Sequence, residues 1–142
     1  MIKISQLKKA NNETLDDINR LLPQLSEKAK FFSLKELRGI ANQKHIVFLA
    51  AKDGEHIIGM GLLYMMRKEI GLCATIEDVV VDERYRGKGI GKALMERLIT
   101  EAKNRKVLHI DLTSRPEREE ANEFYKKLGF ERRNTNVYRL TL

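Results

Sequence analysis

The sequence predicts a single mixed α/β domain, with a mostly antiparallel sheet of roughly six or seven strands and about four helices on its faces. The hydrophobic period changes repeatedly along the chain between two residues and about 3.6 residues. Those changes give the element order β-α-α-β-β-β-α-β-α-β-β. No repeat or linker interrupts the 142 residues, so we expect one domain over residues 1–142.

The first part of the chain predicts a strand and two helices. Residues 2–7 alternate in hydrophobicity, which is typical of a strand. Thr14 is expected to cap the first helix, with the Asp17 carboxylate three residues further on. That helix should end near Pro23 or soon after. Ser33 is expected to cap a second helix that runs to about residue 43.

The middle of the chain predicts an antiparallel meander of three strands. Residues 45–51 form a short apolar run, and the Asp53-Gly54 pair that follows is a hairpin signal. Residues 56–66 and 72–81 then predict two long strands. Gly59 and Gly61 lie inside the middle strand, and they predict a bulge or a close approach of backbones.

The last part alternates between the two periods again. A helical stripe begins at Ile90, and residues 107–113 predict a buried strand. Pro116 suits the first turn of a further helix, for which Gly129 is a suitable C′ residue. The chain closes with a predicted hairpin of two strands, residues 130–133 and 137–142.

Composition limits the functional class. The 27 Lys and Arg residues exceed the 20 Asp and Glu residues, and a net charge of +7 favours an anionic partner. Nucleic acid, a membrane surface and a phosphorylated small molecule all fit that charge. The basic residues are spread along the chain without a zinc-finger or RNA-binding signature, so we expect no nucleic acid partner.

The expected compartment follows from features that the sequence lacks. No apolar run approaches the roughly 20 residues of a membrane helix, and the N-terminus is too polar for a signal peptide. Cys73 is the one cysteine, which excludes an internal disulfide and fits a reducing compartment. We therefore expect a soluble, cytoplasmic protein without membrane contact.

A glycine-rich turn, residues 86–91, joins a predicted strand to a predicted helix. Backbone N–H groups and the positive end of the helix dipole meet there, which favours a bound phosphate. Two known phosphate loops do not fit. A Walker A loop needs glycine where Arg86 stands and Ser or Thr after Lys92, and the dinucleotide fingerprint needs glycine at Lys92. Four basic residues add positive charge around the turn: Arg84, Arg86, Lys88 and Lys92.

The spacing Arg86-x-x-Gly89-x-Gly91, shortly after the apolar run of residues 79–82, closely resembles the GNAT superfamily of acetyltransferases, in particular its small single-domain bacterial members. That family carries Arg/Gln-x-x-Gly-x-Gly/Ala between its fourth strand and its third helix. A second block, residues 121–130, is similar to the C-terminal motif of the family. The resemblance covers residues 72–133, and it covers the first half by element order only. It implies the GNAT fold and one N-acetyltransferase domain.

The resemblance implies acetyl transfer from acetyl-coenzyme A to a primary amine, by direct attack in a ternary complex and without a metal. It places the pantetheine arm along the fourth strand and the pyrophosphate on the amides of the turn. The cofactor contacts that it implies are Val79, Val80, Val81, Arg86, Gly87, Lys88, Gly89, Ile90, Gly91 and Lys92.

Two residues are candidates for catalysis. Tyr125 aligns with the family tyrosine that donates to the departing sulfur, and its ordinary pKa of ~10 against ~8.5 for a thiol allows that role. The alternative is that Tyr125 only packs beside Leu128. Glu77 is the candidate base, predicted to share a strand face with Val79 while Asp78 points the other way. The alternatives for Glu77 are a substrate contact or a solvent-facing charge.

Two further polar residues are candidate cofactor contacts, whereas Cys73 and the histidines are expected to be structural. Arg118 stands where many relatives have a cofactor-contacting asparagine, and Asn122 follows the alanine of the block instead. Both are candidate cofactor contacts, with a solvated arginine as the alternative at position 118. Cys73 has no His nearby in sequence and is expected to pack rather than to act as a nucleophile. The three histidines lack metal-ligand spacing: His45, His56 and His109.

Three functions fit the resemblance. An enzyme that acetylates a small amine or amino-group metabolite leads, followed by a protein lysine or N-terminal acetyltransferase. A non-catalytic coenzyme A-binding or nucleic-acid-binding module is the third, and Tyr125 and Glu77 argue against it. Acceptor choice is assigned to residues 11–70, where Asp16, Asp17 and Glu27 are candidates to hold a cationic amine. A homodimer, common among relatives, is left open.

Overall fold

The computed structural model describes residues 1–142 and has two compact units, residues 1–112 and residues 113–142, each described by itself. The predicted mixed α/β class is confirmed, with five strands in place of six or seven and with four helices. The strands are β1 (Ile2–Gln6), β2 (Ile46–Asp53), β3 (His56–Lys68), β4 (Gly71–Val81) and β5 (Ile110–Asp111). The helices are α1 (Asn12–Leu25), α2 (Leu34–Ala41), α3 (Ile90–Asn104) and α4 (Glu119–Lys127).

The first unit contains all five strands in one sheet, in the order β1-β2-β3-β4-β5. The pairs from β1 to β4 are antiparallel, as the predicted meander requires, whereas β4 and β5 are parallel. Helices α1 and α2 pack on one face of the sheet, where Ile18, Leu21 and Leu37 are fully buried. Helix α3 packs on the opposite face through Leu94 and Leu98, both fully buried. None of the helices has the length and apolarity needed to cross a membrane.

The starts of α1 and α2 show how local sequence fixes a helix. The predicted cap Thr14 is wrong: Asn11 is the cap, and its Oδ1 accepts hydrogen bonds from the Thr14 N–H and hydroxyl, both at 2.9 Å. Asn is at least as good a cap as Thr, and it stands three residues earlier. The Ser33 cap is confirmed, and with Glu36 it forms a reciprocal capping box.

Gly59 and Gly61 bring β3 close to its neighbours, as predicted. A Cβ on Gly59 would lie 3.2 Å from the Val80 carbonyl oxygen, and one on Gly61 would lie 3.1 Å from Leu98 Cδ1. The ladder registers shift at both places, between Ala51 and Lys52 on β2 and between Met60 and Leu62 on β3. Both glycines therefore allow closer packing than a side chain with a Cβ would.

The predicted strand over residues 107–113 is shortened to Ile110–Asp111. The end of α3 uses the preceding backbone, because the Val107 N–H donates to the Ala102 carbonyl at 3.0 Å and Lys106 has a φ of 59°. Leu108 N–H then donates to the Leu72 carbonyl at 2.9 Å. The backbone at the start of the predicted strand therefore takes part in ending α3, so the strand begins only at Ile110.

The predicted final hairpin is wrong, because residues 130–133 and 137–142 form no strand. The apolar side chains of residues 137–142 are solvent-exposed, including Val137 at 78%, Tyr138 at 86% and Leu140 at 85%. A two-stranded hairpin is marginal unless a third strand or a helix covers its apolar face. The alternation of apolar and polar residues is therefore not sufficient to form these strands. The predicted C′ residue of α4 is confirmed, since Gly129 has a φ of 101° and its N–H donates to the Lys126 carbonyl.

Candidate active site

The glycine-rich turn forms an open cradle between β4 and α3. Gly87 and Gly89 have φ angles of 77° and 79°, in the left-handed region that favours glycine. Gly89 is also the N-cap of α3, and no side chain caps this helix. The N–H groups of the first turn therefore remain available to an anion. A cavity of about 180 Å³ lies here, lined by Val81, Tyr85, Arg86, Gly87, Gly89, Ile90 and Gly91.

The basic side chains around the cradle are held by local contacts. Arg86 Nε donates to the Val81 carbonyl at 3.1 Å, which connects the start of the turn to the end of β4. Lys88 Nζ lies 5.1 Å from the centroid of the Tyr85 ring. The Tyr85 hydroxyl donates to Asp53 Oδ2 at 2.8 Å, and this hydrogen bond raises the pKa of Tyr85. Lys92 Nζ lies 3.8 Å from Glu96 Oε1. Together with Arg86 and Lys88, Lys92 is the third cation near the turn.

Arg84 has a different role from the one predicted. It binds Asp82, with Nη2 at 2.8 Å from Oδ2 and Nε at 3.2 Å from Oδ1. Asp82 is almost fully buried, and the hydrogen bond from Arg84 lowers its pKa to about 2. Asp82 Oδ1 also accepts from the Arg84 N–H, which fixes the first bend after β4. Arg84 therefore stabilises the bend that precedes the glycine-rich turn, and its charge is paired with Asp82 instead of being available to a ligand.

Helix α1 is connected to the Asp82–Arg84 pair through Arg20. Arg20 lies 2.9 Å from Asp17 Oδ1 and 3.6 Å from Asp82 Oδ2. Asp17 is buried, and its Oδ2 accepts from the Ile57 N–H at 2.9 Å. The candidate role of Asp17 in holding an amine is therefore replaced by a structural role. Asp16 remains on the exposed side of the helix.

Strand β4 has a free edge that leads into the cradle. Its ladder with β3 extends from Gly71 to Val81, whereas β5 pairs only with Ala74 and Thr75. From residue 76 to residue 81 the edge away from β3 has no strand neighbour. Its peptide groups are therefore available to an extended ligand, in the manner of strand addition.

A bulge at Asp78 changes which face Glu77 occupies. In the ladder, Leu62 lies opposite Glu77 while Met60 lies opposite Val80, so β4 has one extra residue, and Asp78 has a φ of 55°. Because directly paired residues share a face, Glu77 lies on the face of Val80. The prediction that Glu77 shares a face with Val79 is therefore wrong.

The bulge brings two carboxylates near a tyrosine. Partial desolvation raises the pKa of Glu77, and the charge of Asp78 raises it further, although both side chains still reach solvent. Desolvation also raises the pKa of Asp78. Tyr64, two residues beyond Leu62 on β3, has its pKa raised by burial and then by both carboxylates. Tyr64 was missed by the sequence analysis, because only the β3–β4 register reveals it.

Cys73 has a partner that its sequence neighbourhood did not show. Its buried Sγ lies 3.4 Å from His109 Nε2, and His109 Nδ1 lies 3.9 Å from Asp111 Oδ1. No histidine lies near Cys73 in sequence, but the parallel pairing of β4 with β5 brings His109, 36 positions away, into contact with it. Cys73 lies near the opposite end of β4 from the cradle, about 26 Å away at a strand's rise per residue.

The second unit carries the remaining predicted residues. Tyr125 lies on α4, half-buried, with its ring centroid 5.7 Å from that of Phe124 and 6.2 Å from that of Phe130. Arg118 is the N-cap of α4 and is exposed. Asn122 Nδ2 donates to the Arg115 carbonyl at 3.1 Å, so this side chain holds the turn before the helix.

Comparison with known proteins identifies the family. The profile of the acetyltransferase (GNAT) family matches residues 12–130. Glucosamine 6-phosphate N-acetyltransferase 1 of Oryza sativa subsp. japonica is 32% identical over 120 residues, which cover 81% of this chain and 70% of that protein. The protein of the same name in Dictyostelium discoideum is 34% identical over 137 residues, covering 87% and 84%. A Trypanosoma brucei acetyltransferase crystal structure superimposes with a TM-score of 0.80 at 31% identity, covering 100% of both chains.

The chain belongs to the GNAT acetyltransferase family. The predicted resemblance is thereby confirmed, and so is the class of enzyme. This protein is an acetyl-coenzyme A-dependent N-acetyltransferase.

Proposed function

We propose that the enzyme acetylates the primary amine of a small metabolite, with an amino sugar as the leading candidate. The observation that carries the proposal is the free edge of β4, residues 76–81, running directly into the open amide cradle at Gly87 and Gly89. An extended arm that ends in a pyrophosphate fits an edge followed by an anion site. Similarity to two glucosamine 6-phosphate N-acetyltransferases over more than four fifths of this chain supports the acceptor class.

The residues at the cradle fit coenzyme A in conformation as well as in charge. A Cβ at Gly87 or Gly89 would meet nothing within 4 Å, so their left-handed φ is set by the turn and not by crowding. In the proposal, Val79, Val80 and Val81 border the pantetheine arm. The pyrophosphate is bound by the amides of residues 86–92. Arg118 and Asn122 remain proposed contacts from the second unit.

Glu77 is proposed to accept the proton of the attacking amine. When bound, acetyl-coenzyme A supplies a thioester whose carbonyl carbon bonds to the amine nitrogen while its carbon–sulfur bond breaks. An ammonium group must lose a proton before its nitrogen can attack, and a partly desolvated carboxylate has a pKa closer to neutrality than an exposed one. Tyr125 is proposed to donate its hydroxyl proton to the departing sulfur and to regain the second proton that the nitrogen loses as the amide forms. The products are then an amide and a free thiol, with one proton left on Glu77.

Binding and turnover test the proposal separately. Isothermal titration with acetyl-coenzyme A should show one site per chain, and titration with duplex DNA should show none. A thiol-release assay should then be run over glucosamine 6-phosphate, other amino sugars, aminoglycosides, polyamines, amino acids and lysine peptides. Thiol release with peptides alone would exclude the small-amine acceptor. No binding of acetyl-coenzyme A would exclude the whole proposal.

Tyr125→Phe tests the proposed leaving-group acid. The variant keeps the ring and removes the proton, so we expect kcat to fall about 100-fold with little change in the KM for acetyl-coenzyme A. Lys126→Gln is the control, because this exposed side chain on the same helix pairs only with Glu123 at 3.2 Å. Unchanged turnover of Tyr125→Phe at saturating substrate would remove Tyr125 from the mechanism.

A further inference from the structure

Tyr85 lies beside the glycine-rich turn and is held both by its backbone and by its hydroxyl. It is the last residue of a single 3₁₀ turn, Glu83–Tyr85, that follows β4. Its N–H donates to the Asp82 carbonyl at 2.8 Å, and its hydroxyl donates to Asp53 Oδ2 at 2.8 Å. The half-buried ring lines the cavity at the turn. Because both ends of the residue are fixed, the ring is presented to the cavity in one orientation.

Asp53 gives the hydroxyl of Tyr85 a fixed partner. Asp53 is the last residue of β2, and it lies opposite Ile2 on β1 and His56 on β3. Pairing with a strand on each side limits how far its backbone can move. The hydrogen bond therefore connects the β2–β3 hairpin to the segment before the glycine-rich turn, between residues 32 positions apart in sequence.

Lys88 is the cation that contacts the ring of Tyr85. Its Nζ lies 5.1 Å from the ring centroid, within the distance of about 6 Å over which an aromatic face attracts an ammonium group. Lys92 is paired with Glu96, whereas Lys88 makes no ion pair. An exposed lysine has several flexible bonds, and a ligand that binds it must fix them at a cost in entropy. The ring lowers that cost, because it holds the ammonium near the turn before a ligand arrives.

We propose that Asp53 and Tyr85 are positioning residues that hold Lys88 for the pyrophosphate of the cofactor. The inference rests on the proposed function, in which the amides of residues 86–92 bind that pyrophosphate. Asp53 fixes the hydroxyl of Tyr85, and the ring of Tyr85 holds the ammonium of Lys88 beside those amides. Donation of the hydroxyl to a carboxylate also makes the ring richer in electrons, which strengthens its attraction for the cation. Asp53 thereby contributes to cofactor affinity through Tyr85 and Lys88.

Three thioesters that differ in their phosphates test the proposal by titration calorimetry. Tyr85→Phe and Asp53→Ala should each raise the Kd for acetyl-coenzyme A about two- to fivefold. The increase should be the same for acetyl-dephospho-coenzyme A, which keeps the pyrophosphate and lacks only the 3′-phosphate. The Kd for S-acetylpantetheine, which lacks the pyrophosphate and the nucleotide, should not change. Turnover at saturating acetyl-coenzyme A should also stay at the wild-type kcat.

Glu55→Ala is the matched control for Asp53→Ala. Glu55 is an exposed carboxylate in the turn of the same hairpin, outside the strand ladders. Its removal takes away the same charge and the same kind of side chain without touching Tyr85. Glu55→Ala should therefore bind all three thioesters with wild-type affinity at 0.15 M salt, where charges far from the ligand are screened.

A double-mutant cycle tests whether Tyr85 acts through Lys88. Once Lys88→Gln has removed the ammonium, the ring has no cation left to hold. The Kd of the Tyr85→Phe/Lys88→Gln variant for acetyl-coenzyme A should therefore equal that of Lys88→Gln alone. Effects of the two substitutions that multiply would mean that Tyr85 acts by another route, and they would overturn the proposal.

The same measurements distinguish failure of this inference from failure of the proposed function. If wild-type protein binds S-acetylpantetheine as tightly as acetyl-coenzyme A, the proposed pyrophosphate site fails and the inference fails with it. If the wild type prefers acetyl-coenzyme A and both Tyr85→Phe and Asp53→Ala keep its Kd, the pyrophosphate site stands and the positioning role alone is overturned. Equal losses with all three thioesters would indicate general damage to the fold, and they would also overturn the positioning role.

Discussion

At the scale of single residues, the Asp78 bulge determines the chemistry available on β4. Without the extra residue, Glu77 would point to the face covered by α3. With it, Glu77 lies on the face of Tyr64 and Val80, where partial desolvation and then the charge of Asp78 raise its pKa. A left-handed φ at a residue other than glycine is uncommon and costs backbone energy, and such positions concentrate at functional sites. The bulge is thus the feature that turns a strand carboxylate into a candidate base.

The pH dependence of kcat/KM should report this carboxylate. A base works when deprotonated, and the raised pKa of Glu77 places the acidic limb above the ordinary value of ~4.3. Asp78→Asn removes the neighbouring charge and should move that limb to lower pH. Glu77→Gln should abolish the limb and lower kcat/KM by 100-fold or more (about 10²–10⁴). Glu55→Gln, an exposed residue of the β2–β3 turn, is the control. An unchanged limb in Glu77→Gln would exclude Glu77 as the base.

Asp82 should contribute to stability across the whole neutral range. Its pKa is lowered to about 2 in the folded protein, so its contribution is present above the unfolded value of ~3.9 and is lost as the pH falls towards 2. Asp82→Asn weakens charged hydrogen bonds from Arg84 and should lower the free energy of unfolding by about 2 kcal/mol at pH 7.

Urea unfolding of the wild-type protein and of Asp82→Asn at several pH values measures the contribution of Asp82 to the free energy of unfolding. The difference between wild type and Asp82→Asn should be constant from pH 5 to 7 and should narrow below about pH 4. Asp16→Asn, which removes an exposed carboxylate of α1, should be close to neutral. A difference that does not change with pH would mean that Asp82 acts by packing and not by charge.

At the scale of secondary-structure elements, predictability follows how local the deciding interaction is. Helix α2 was predicted correctly because Ser33 and Glu36 are three residues apart and cap it by themselves. The cradle was predicted because its glycines are required by local backbone conformation. The face of Glu77 and the Cys73–His109 contact depend on register between strands, which no short sequence pattern contains. Residues 137–142 have the alternating pattern of a strand but form none, because strand formation depends on a neighbouring strand and not on the pattern alone.

Two glycines of the cradle make a matched test of backbone conformation. Gly89 has a φ of 79°, whereas Gly91 has no left-handed φ, and a Cβ on Gly91 would lie an ordinary 3.8 Å from Val81 Cγ2. Gly89→Ala should therefore lower stability by about 1–2 kcal/mol and weaken acetyl-coenzyme A binding, because relief of the strain would turn the amides away. Gly91→Ala should bind with near wild-type affinity. Titration calorimetry measures both, and equal losses in the two variants would mean that open space, not φ, is what the turn requires.

At the scale of the whole molecule, the excess of basic residues has two separable effects. A net charge of +7 attracts any polyanion at low ionic strength. Under the proposed function, the cations held around the cradle, among them Lys88 over the Tyr85 ring, act at short range on the pyrophosphate of the cofactor. Screening separates the two, because the Debye length falls from roughly 30 Å at 0.01 M salt to about 8 Å at 0.15 M. Only charges near the ligand still matter at the higher salt.

Lys88→Gln and Lys44→Gln together separate the effect of the total charge from the effect of the cations near the turn. Each removes one positive charge, but Lys44 lies between α2 and β2, away from the glycine-rich turn in sequence, and is exposed. At 0.01 M salt, both variants should raise the KM for acetyl-coenzyme A. At 0.15 M salt, the effect of Lys44→Gln should disappear, while Lys88→Gln should still raise KM severalfold at unchanged kcat. Equal behaviour of the two variants at both salt concentrations would show that the total charge attracts the cofactor and that the cations of the cradle make no specific contribution.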